Sequence, residues 1–391
     1  MSTKRLSLLL IGILLIAANL RLPITSIGPV IQNIGQDFQL SSAALGLLTT
    51  LPLLAFAIIS PLAPKLAQRI GLNRSLSVCL IVIIVGFTGR LLPSLSLFYL
   101  STALIGAGIA IGNVLLPSLI KQRYPDNIAL MTSVYAFTMS VAAALASMWV
   151  LPLTNWWQGQ WAWALGSFVL LPIVSLVLWL PQCSREPTPA QTHATEQAHT
   201  PSKPMWHYGL AWQVTVFLGL NSMIYYSIIT WLPSMLQDAS YTAAQAGSLH
   251  GWLQMASALP GFLLVPLIRR CADQRVPASL VSGLMLAGLL GLAYFPQYAT
   301  VWAIAIGFGS GGTILLGLMF MGLRTQTPQK AASLSAMAQS IGYLLAAAAP
   351  PLLGLLQQQS ASWFGVLWLL SVAAFIVLIN GLGAGRNLKI P

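Results

Sequence analysis

Arg21 is the residue of this sequence with the clearest capacity for chemistry, because it stands inside an apolar run near residues 6–31. Its guanidinium offers a planar fork of N–H donors that matches paired oxygens or a small anion. Thr25 and Gly28 follow at i+4 and i+7, which is the same face of a helix. We therefore expect this face to meet a small polar or anionic molecule.

A structural explanation of Arg21 stays open at this point. No Asp or Glu lies within any apolar run of the chain, so the cation has no acidic partner in these runs. Pro23 could break the helix and leave backbone carbonyls without donors. Arg21 would then bond to those carbonyls and stabilise the fold.

Polar and aromatic side chains in the other apolar runs could complete a binding cavity. In such surroundings these groups commonly bind a solute or bridge two helices, and the sequence does not separate the two roles. The candidates beside Arg21 and Thr25 are Asn19, Asn113, Tyr135, Tyr225, Trp252, Gln339 and Tyr343.

Two more titratable residues lie near the ends of apolar runs. His250 is the single histidine within such a run. It could titrate near neutral pH and so carry a proton, or it could be a polar residue that lines a pore or an interface. Arg90 lies near the end of the run at 75–93, where we expect its long side chain to extend toward the polar boundary.

Motifs of the common enzyme classes are absent from the sequence. We find no HExxH, GxSxG, phosphate-binding loop or cluster of carboxylates, so an intramembrane enzyme is the weaker hypothesis. The three cysteines are far apart, without metal-ligand spacing, and we expect no metal and no cofactor. Gly106-x-Gly108-x-x-x-Gly112 lies inside an apolar run and therefore predicts close helix packing rather than a dinucleotide site.

The composition identifies the elements that must hold these residues. The chain of 391 residues is 57% hydrophobic and 6% charged, whereas a soluble domain carries about 25% charged residues. Lipid is therefore the expected solvent, and about 20 apolar residues suffice to cross it. Twelve runs approach that length, near 6–31, 43–66, 75–93, 97–120, 129–151, 161–181, 208–233, 243–268, 277–295, 299–322, 331–356 and 362–383. They predict an all-α membrane protein.

The distribution of basic residues predicts the orientation. With a cytoplasmic N-terminus, sixteen of the eighteen basic residues fall on the cytoplasmic side, and Arg21 and Arg90 are the exceptions. Positive charge of this kind marks cytoplasmic loops. Because the charge is spread over separate loops, it excludes a nucleic-acid partner. The sixteen are Lys4, Arg5, Lys65, Arg69, Arg74, Lys121, Arg123, Arg185, Lys203, Arg269, Arg270, Arg275, Arg324, Lys330, Arg386 and Lys389.

A polar segment at 182–207 divides the chain. It is rich in Pro, Thr, Gln and Ser, which is typical of a flexible linker. We therefore predict a six-helix bundle at 1–181, a cytoplasmic linker at 182–207 and a second six-helix bundle at 208–391. Both termini are then cytoplasmic, and we expect a monomer.

The two bundles repeat each other at an offset of about 201–204 residues. Gly106 and Gly108 correspond to Gly307 and Gly309, and the proline at 29 corresponds to that at 233. A common offset of this kind indicates a parallel duplication, which is frequent among transporters.

Several segments resemble the cyanate and 2-nitroimidazole transporter family of the major facilitator superfamily. The superfamily loop signature G-x-L-A-D-R-x-G-R survives in part at 64–71 (PKLAQRIG), with proline replacing glycine and Gln68 replacing aspartate. The N-x-R-x-x-x-T-S-x-G-P run of the family is present at 19–29. Residues 231–233, 89–93, 117–121 and 339–342 are also similar to that family.

The resemblance implies the major facilitator fold and secondary transport of a small molecule by alternating access. Export of 2-nitroimidazole-like compounds is the first candidate function, and uptake of a small anion such as cyanate is the alternative. If transport is coupled to protons, the carrier is His250, the solute itself or a loop carboxylate, because no Asp or Glu lies within an apolar run. The lipid bilayer of a bacterial inner membrane is the expected environment.

Overall fold

The chain folds into α-helices joined by short turns. The computed structural model describes residues 3–40, 42–183, 204–271, 273–360 and 362–391. Within these residues the β-structure is one isolated bridge between Thr325 and Ile390. Helices are expected in lipid because each satisfies its own backbone N–H and C=O groups.

The first half of the chain contains ten helices in its described part, several of which are pieces of one span. They are α1 (Thr3–Asn19), α2 (Leu22–Thr25), α3 (Ile31–Asp37), α4 (Ser42–Ile59), α5 (Ala63–Ile70), α6 (Leu72–Gly89), α7 (Leu95–Arg123), α8 (Ile128–Trp156), α9 (Trp161–Ser167) and α10 (Leu170–Cys183). Short 3₁₀ turns lie at Gly28–Val30 and Pro125–Asn127.

The second half has longer and more continuous helices. They are α11 (Gly209–Asp238), α12 (Ala243–Ala258), α13 (Pro260–Arg270), α14 (Arg275–Tyr294), α15 (Ala299–Leu323), α16 (Pro328–Ser360) and α17 (Phe364–Ala384), with 3₁₀ turns at Met205–His207 and Pro296–Tyr298.

The number of spans agrees with the sequence. Eleven helical segments of the described chain are long and apolar enough to cross a membrane, and a bent pair raises the number to as many as twelve. The bent pair, Thr50–Ile59 and Ala63–Ile70, turns by 52° within the run predicted at 43–66. Pro61 stands at this bend, and a proline has no N–H with which to continue the helix.

Two compact units make up the chain. Unit 1 comprises Met1–Leu119 and Val134–Lys203, and unit 2 comprises Ile120–Ser133 and Pro204–Pro391. The turn between α7 and α8 thus groups with unit 2, where Lys121 Nζ donates a hydrogen bond to the Gly322 carbonyl at 2.9 Å. Most of the predicted linker, residues 184–203, lies outside the described residues, so the boundaries at 181 and 208 stay predictions.

Paired glycines bring helices together in the same way in each unit. A Cβ at Gly108 would lie 2.9 Å from the Cys79 carbonyl and 3.3 Å from the Ile83 nitrogen. A Cβ at Gly309 would lie 2.6 Å from the Val281 carbonyl and 2.5 Å from the Met285 nitrogen. The two glycines are 201 residues apart, and both contact partners of Gly309 are 202 residues beyond those of Gly108. The predicted packing role of the glycine motif is confirmed.

The C-terminal tail folds back onto unit 2. Ile390 is 2% exposed, donates to the Arg324 carbonyl at 2.7 Å and accepts from the Gln326 N–H at 3.2 Å. The buried Arg324 guanidinium donates to the Ala384 and Gly385 carbonyls at 2.7 and 3.0 Å. Burial lowers the pKa of Arg324 to about 10, so this cation remains charged at neutral pH.

Candidate functional site

The first membrane span is interrupted where the sequence places its most polar residues. Helix α1 ends at Asn19, Leu20 and Arg21 adopt a turn, and α2 lasts only from Leu22 to Thr25. A 3₁₀ turn and α3 complete the span. Arg21 and Thr25 therefore stand at the two ends of a four-residue helix.

Two prolines explain the interruption. In a continuous helix the carbonyl of Asn19 would accept from residue 23 and that of Thr25 from residue 29, but both donors are prolines. The Thr25 carbonyl instead accepts from the Ser147 hydroxyl of α8 at 3.2 Å. The two prolines therefore cause the break, and a hydroxyl of the neighbouring helix α8 stabilises it.

Arg90 supports the same break, and our expectation for this residue was wrong. Its side chain does not extend to a polar boundary; the residue is 1% exposed. Nη1 donates to the Pro23 carbonyl at 3.0 Å, and Nη2 donates to Thr102 Oγ1 at 3.3 Å. Arg90 thus donates to a backbone carbonyl of the broken span.

Asn19 is fully buried at the end of α1. Its Nδ2 donates to the Leu15 carbonyl and to Ser175 Oγ, both at 2.8 Å. Its Oδ1 has no hydrogen-bond partner among the described residues. A buried amide oxygen in this state is a ready acceptor for an N–H group.

Arg21 and Thr25 are both half-buried. The single proton of the Thr25 hydroxyl has backbone carbonyls as acceptors: those of Arg21 and Leu22 in its own turn, at 3.2 and 3.3 Å, and that of Ala143 on α8, at 3.3 Å. Toward a bound molecule this hydroxyl can therefore act only as an acceptor. Arg21 supplies donors alone, so the two ends of α2 offer complementary chemistry.

The remaining candidates of unit 1 lie at different distances from the break. Gly112 of α7 packs directly on the Leu20 side chain, which brings the half-buried Asn113 next to the turn. Tyr135 is 2% exposed and lies about two turns before Ala143 on α8. Asn113 is therefore beside the break, whereas Tyr135 is in the core of unit 1.

In unit 2 the aromatic candidates form a chain of contacts. Tyr225 donates to Gln254 Oε1 at 2.8 Å, which joins α11 to α12. The Tyr226 ring packs on Tyr225 and on Tyr343, with centroids 5.7 and 6.4 Å apart. Gln339, one turn before Tyr343 on α16, donates to Ser335 Oγ at 2.7 Å.

Trp252 and His250 lie on α12 but differ in surroundings. Trp252 is 50% exposed, and it projects away from the side of Gln254 because two residues turn about 200° around a helix. The imidazole of His250 is hydrogen-bonded to the backbone of Ile229. The Ile229 carbonyl lacks a helical donor because residue 233 is proline, and His250 Nε2 has no partner within the described chain.

Sequence reasoning missed four residues. Arg90 was assigned to a boundary, and Tyr226, Gln254 and Asn221 were not selected. Asn221 could have been found, because it lies 202 residues after Asn19 and within the repeat offset. Like Asn19 it is fully buried, with Nδ2 bonded to the Ser310 carbonyl at 3.3 Å and Oδ1 without a partner in the described part of the chain.

Solved structures share this fold over nearly the whole chain. The fucose:proton symporter of Escherichia coli has a TM-score of 0.74, with 97% of this chain and 99% of that chain covered at 12% identity. The proton:xylose symporter XylE has a TM-score of 0.73, with 96% and 94% covered at 13% identity. At such identities the likeness concerns the fold alone.

Relatives and a sequence profile identify the family. The 2-nitroimidazole transporter of Escherichia coli strain K12 is 46% identical over 100% of this chain and 98% of that protein. The cyanate transport protein of the same strain is 29% identical over 91% of each chain. The profile of the Major Facilitator Superfamily matches residues 9–350. This multi-span membrane chain therefore belongs to the major facilitator superfamily.

Proposed function

We propose that the chain is a secondary active transporter that exports 2-nitroimidazole-like compounds from the cytoplasm. The observation that carries the proposal is the broken first span, in which α2 presents Arg21 and Thr25 at its two ends. Broken spans with polar groups at the break are a recurrent solution for binding solutes within membranes. The relative with 46% identity, a 2-nitroimidazole transporter, supports the choice of substrate.

The chemistry of the break suits such a solute. A nitro group has two coplanar oxygens, which match the planar fork of the Arg21 guanidinium. The ring N–H of a nitroimidazole needs an acceptor, and the Oδ1 atom of Asn19 is a buried amide oxygen with unused capacity. Asn113 lies beside the same turn. Tyr135, Tyr225, Trp252, Gln339 and Tyr343 are further candidates for contact with the solute.

Uptake of a small anion such as cyanate is the second candidate. It is favoured by the cyanate transport protein among the relatives and by the cationic side chain at the break. A linear triatomic anion would use the Arg21 cation but has no aromatic ring and no N–H group for the Asn19 Oδ1 atom. Competition between the two solutes for one site therefore separates the candidates.

Coupling to protons is the proposed energy source, and His250 is the proposed carrier. Its hydrogen bond to the Ile229 backbone fixes one ring nitrogen as a donor and leaves Nε2 to accept the proton. We also propose that both termini and the segment 182–207 are cytoplasmic, in an inner membrane, and that the transporter works as a monomer.

The function is tested by flux in proteoliposomes with an imposed pH gradient. We expect labelled 2-nitroimidazole to move faster than through protein-free vesicles, and excess cyanate to inhibit weakly. Cyanate flux without 2-nitroimidazole flux would select the alternative. Flux of neither solute would contradict both.

The proposed topology is tested in intact cells. A single cysteine placed in the segment 182–207 should react with a membrane-impermeant thiol reagent only after the cells are opened. Ready labelling from outside would contradict the cytoplasmic assignment.

A further inference from the structure

We infer that Arg90 is a positioning residue for transport: it holds the four-residue helix α2 so that Arg21 and Thr25 face the solute. The inference rests on the proposed function, because it assumes that the break binds the solute. Arg90 itself is buried and touches the middle of α2 through the Pro23 carbonyl.

The Pro23 carbonyl needs an outside donor. In a regular helix it would accept from the N–H of Ile27, but that N–H goes to the Ile24 carbonyl at 3.3 Å, as in a tighter turn. The Ser26 hydroxyl reaches Pro23 at a marginal 3.4 Å. Arg90 Nη1, at 3.0 Å, is therefore the stronger donor to this carbonyl.

Arg90 is fixed from behind by α6 and α7. Thr102 Oγ1 donates to the Phe98 carbonyl at 2.8 Å, which leaves its lone pairs to accept from Arg90 Nη2. The rings of Phe87 and Phe98 lie with their centroids 5.9 and 5.7 Å from the guanidinium carbon. The guanidinium thus joins a rigid helix pair to the break, through two N–H groups that point in different directions.

The second unit provides an internal comparison. Position 292 lies 202 residues after Arg90 and is a buried leucine, in a unit whose first helix, α11, is continuous. Arginine therefore occurs at this position in the unit with the broken first span, and leucine occurs in the unit whose first span is one continuous helix.

Burying an arginine lowers the stability of the fold more than burying an apolar side chain at the same place would. No carboxylate neighbours Arg90 among the described residues, and its Nε has no partner there. Burying a cation without an acidic partner carries a large desolvation cost. Leu292 shows that an apolar side chain fits the equivalent place, so the role of Arg90 lies in the geometry of the break.

The experiment compares full-length variants in proteoliposomes. Arg90→Lys keeps the charge but cannot bond in two directions from one planar group. We expect its KM for 2-nitroimidazole to rise roughly tenfold or more, with Thr102→Val showing a smaller rise in the same direction. Leu292→Ala, a cavity variant at the equivalent position of unit 2, should lower Tm and keep the wild-type KM.

A second readout does not depend on transport. Ile11 on α1 and Gln36 on α3 are exposed, so spin labels at Ile11→Cys and Gln36→Cys report the distance across the break. Cys183 and Cys271 are replaced by serine in this background. We expect Arg90→Lys to shift or broaden the distance distribution.

The outcomes are distinct. A raised KM together with a changed distance supports the positioning role. An unchanged KM, or an unchanged distance, overturns it, even where Tm falls. If the wild-type protein moves neither solute, the proposed function has failed, and the distance measurement alone then decides whether Arg90 holds the break.

Discussion

The first spans of the two units have different architectures, although the two halves of the sequence repeat each other at a common offset. In unit 1 the span is divided into α1, α2 and α3, whereas in unit 2 the corresponding α11 runs without interruption from Gly209 to Asp238. The paired glycines of α7 and α15 pack almost identically in the two units. The glycine helices therefore pack alike in the two units while the first spans differ, and the proposed solute site lies at that difference.

A finer comparison concerns the carbonyls freed by the equivalent prolines at 29 and 233. In unit 1 the Thr25 carbonyl accepts from Ser147, a hydroxyl that does not titrate near neutral pH. In unit 2 the backbone of Ile229 is bonded by the imidazole of His250, a type of group that can carry a proton. In both units a side chain bonds to the backbone carbonyl that a proline leaves without a donor, but only the side chain of unit 2 can carry a proton. We therefore expect a proton-linked role only in unit 2.

Restoring the first span should have the largest effect. The double variant Pro23→Ala/Pro29→Ala returns N–H donors to the carbonyls of Asn19 and Thr25, which favours a continuous helix like α11. We expect flux in proteoliposomes to fall by roughly a hundredfold, because Arg21 and Thr25 would be displaced from their present positions. Pro233→Ala serves as the control and should change flux far less. Equal losses in both variants would contradict the special role of the break.

Substitution of Arg21 should have the next largest effect. We expect Arg21→Lys to lose about tenfold or more in flux, because an ammonium cannot replace the planar fork. Arg21→Ala should lose at least as much. Met223 occupies the equivalent position 202 residues later, so Met223→Leu is the matched control. Wild-type flux in both Arg21 variants would show that the residue is not in the solute pathway.

His250→Gln should alter the pH dependence more than the rate. Glutamine keeps a donor for the Ile229 carbonyl but removes the titrating ring, so we expect solute exchange to persist while the response to a pH gradient is lost. Ser147→Ala, at the equivalent carbonyl of unit 1, should leave the pH profile in place. An unshifted profile in His250→Gln would limit this residue to a structural bond.

Neutralising the acidic residues should have the smallest effect. Asp37 is the last residue of α3 and accepts from the Trp161 indole N–H at 2.5 Å. Asp238 is the last residue of α11, so both carboxylates lie at helix ends. We expect no single Asp→Asn or Glu→Gln change at Asp37, Asp126, Glu186, Glu196, Asp238 or Asp273 to abolish proton-driven flux. One such variant that keeps solute exchange but loses proton coupling would identify a carrier other than His250.

Much of the fold follows from the sequence because lipid imposes a simple requirement. A span needs about twenty apolar residues and an internally bonded backbone, so the runs of the sequence coincide with the helices of both units. The glycine motif was also predictable, since small residues allow close approach. The 52° bend between α4 and α5 was missed, because the run at 43–66 remains apolar across Pro61.

The candidate site was predicted less completely. Prolines and polar residues near position 21 indicated a special first span, because their effect on the backbone is local. The partner of Arg90 was not predictable, since it lies 67 residues away at Pro23 and is selected by the packing of three helices. The direction of Trp252 likewise depends on how α12 is rotated against α11, which apolar composition alone does not determine.

The returned C-terminal tail has a consequence for the timing of biosynthesis. The bridge from Thr325 to Ile390 joins residues 65 apart, and the second of them follows α17 in the chain. Because Ile390 is synthesised after α17, this contact forms later than the helices of unit 2. Loss of residues 386–391 would leave the edge of unit 2 near Gln326 open to proteolytic quality control, although every helix of the unit would be complete.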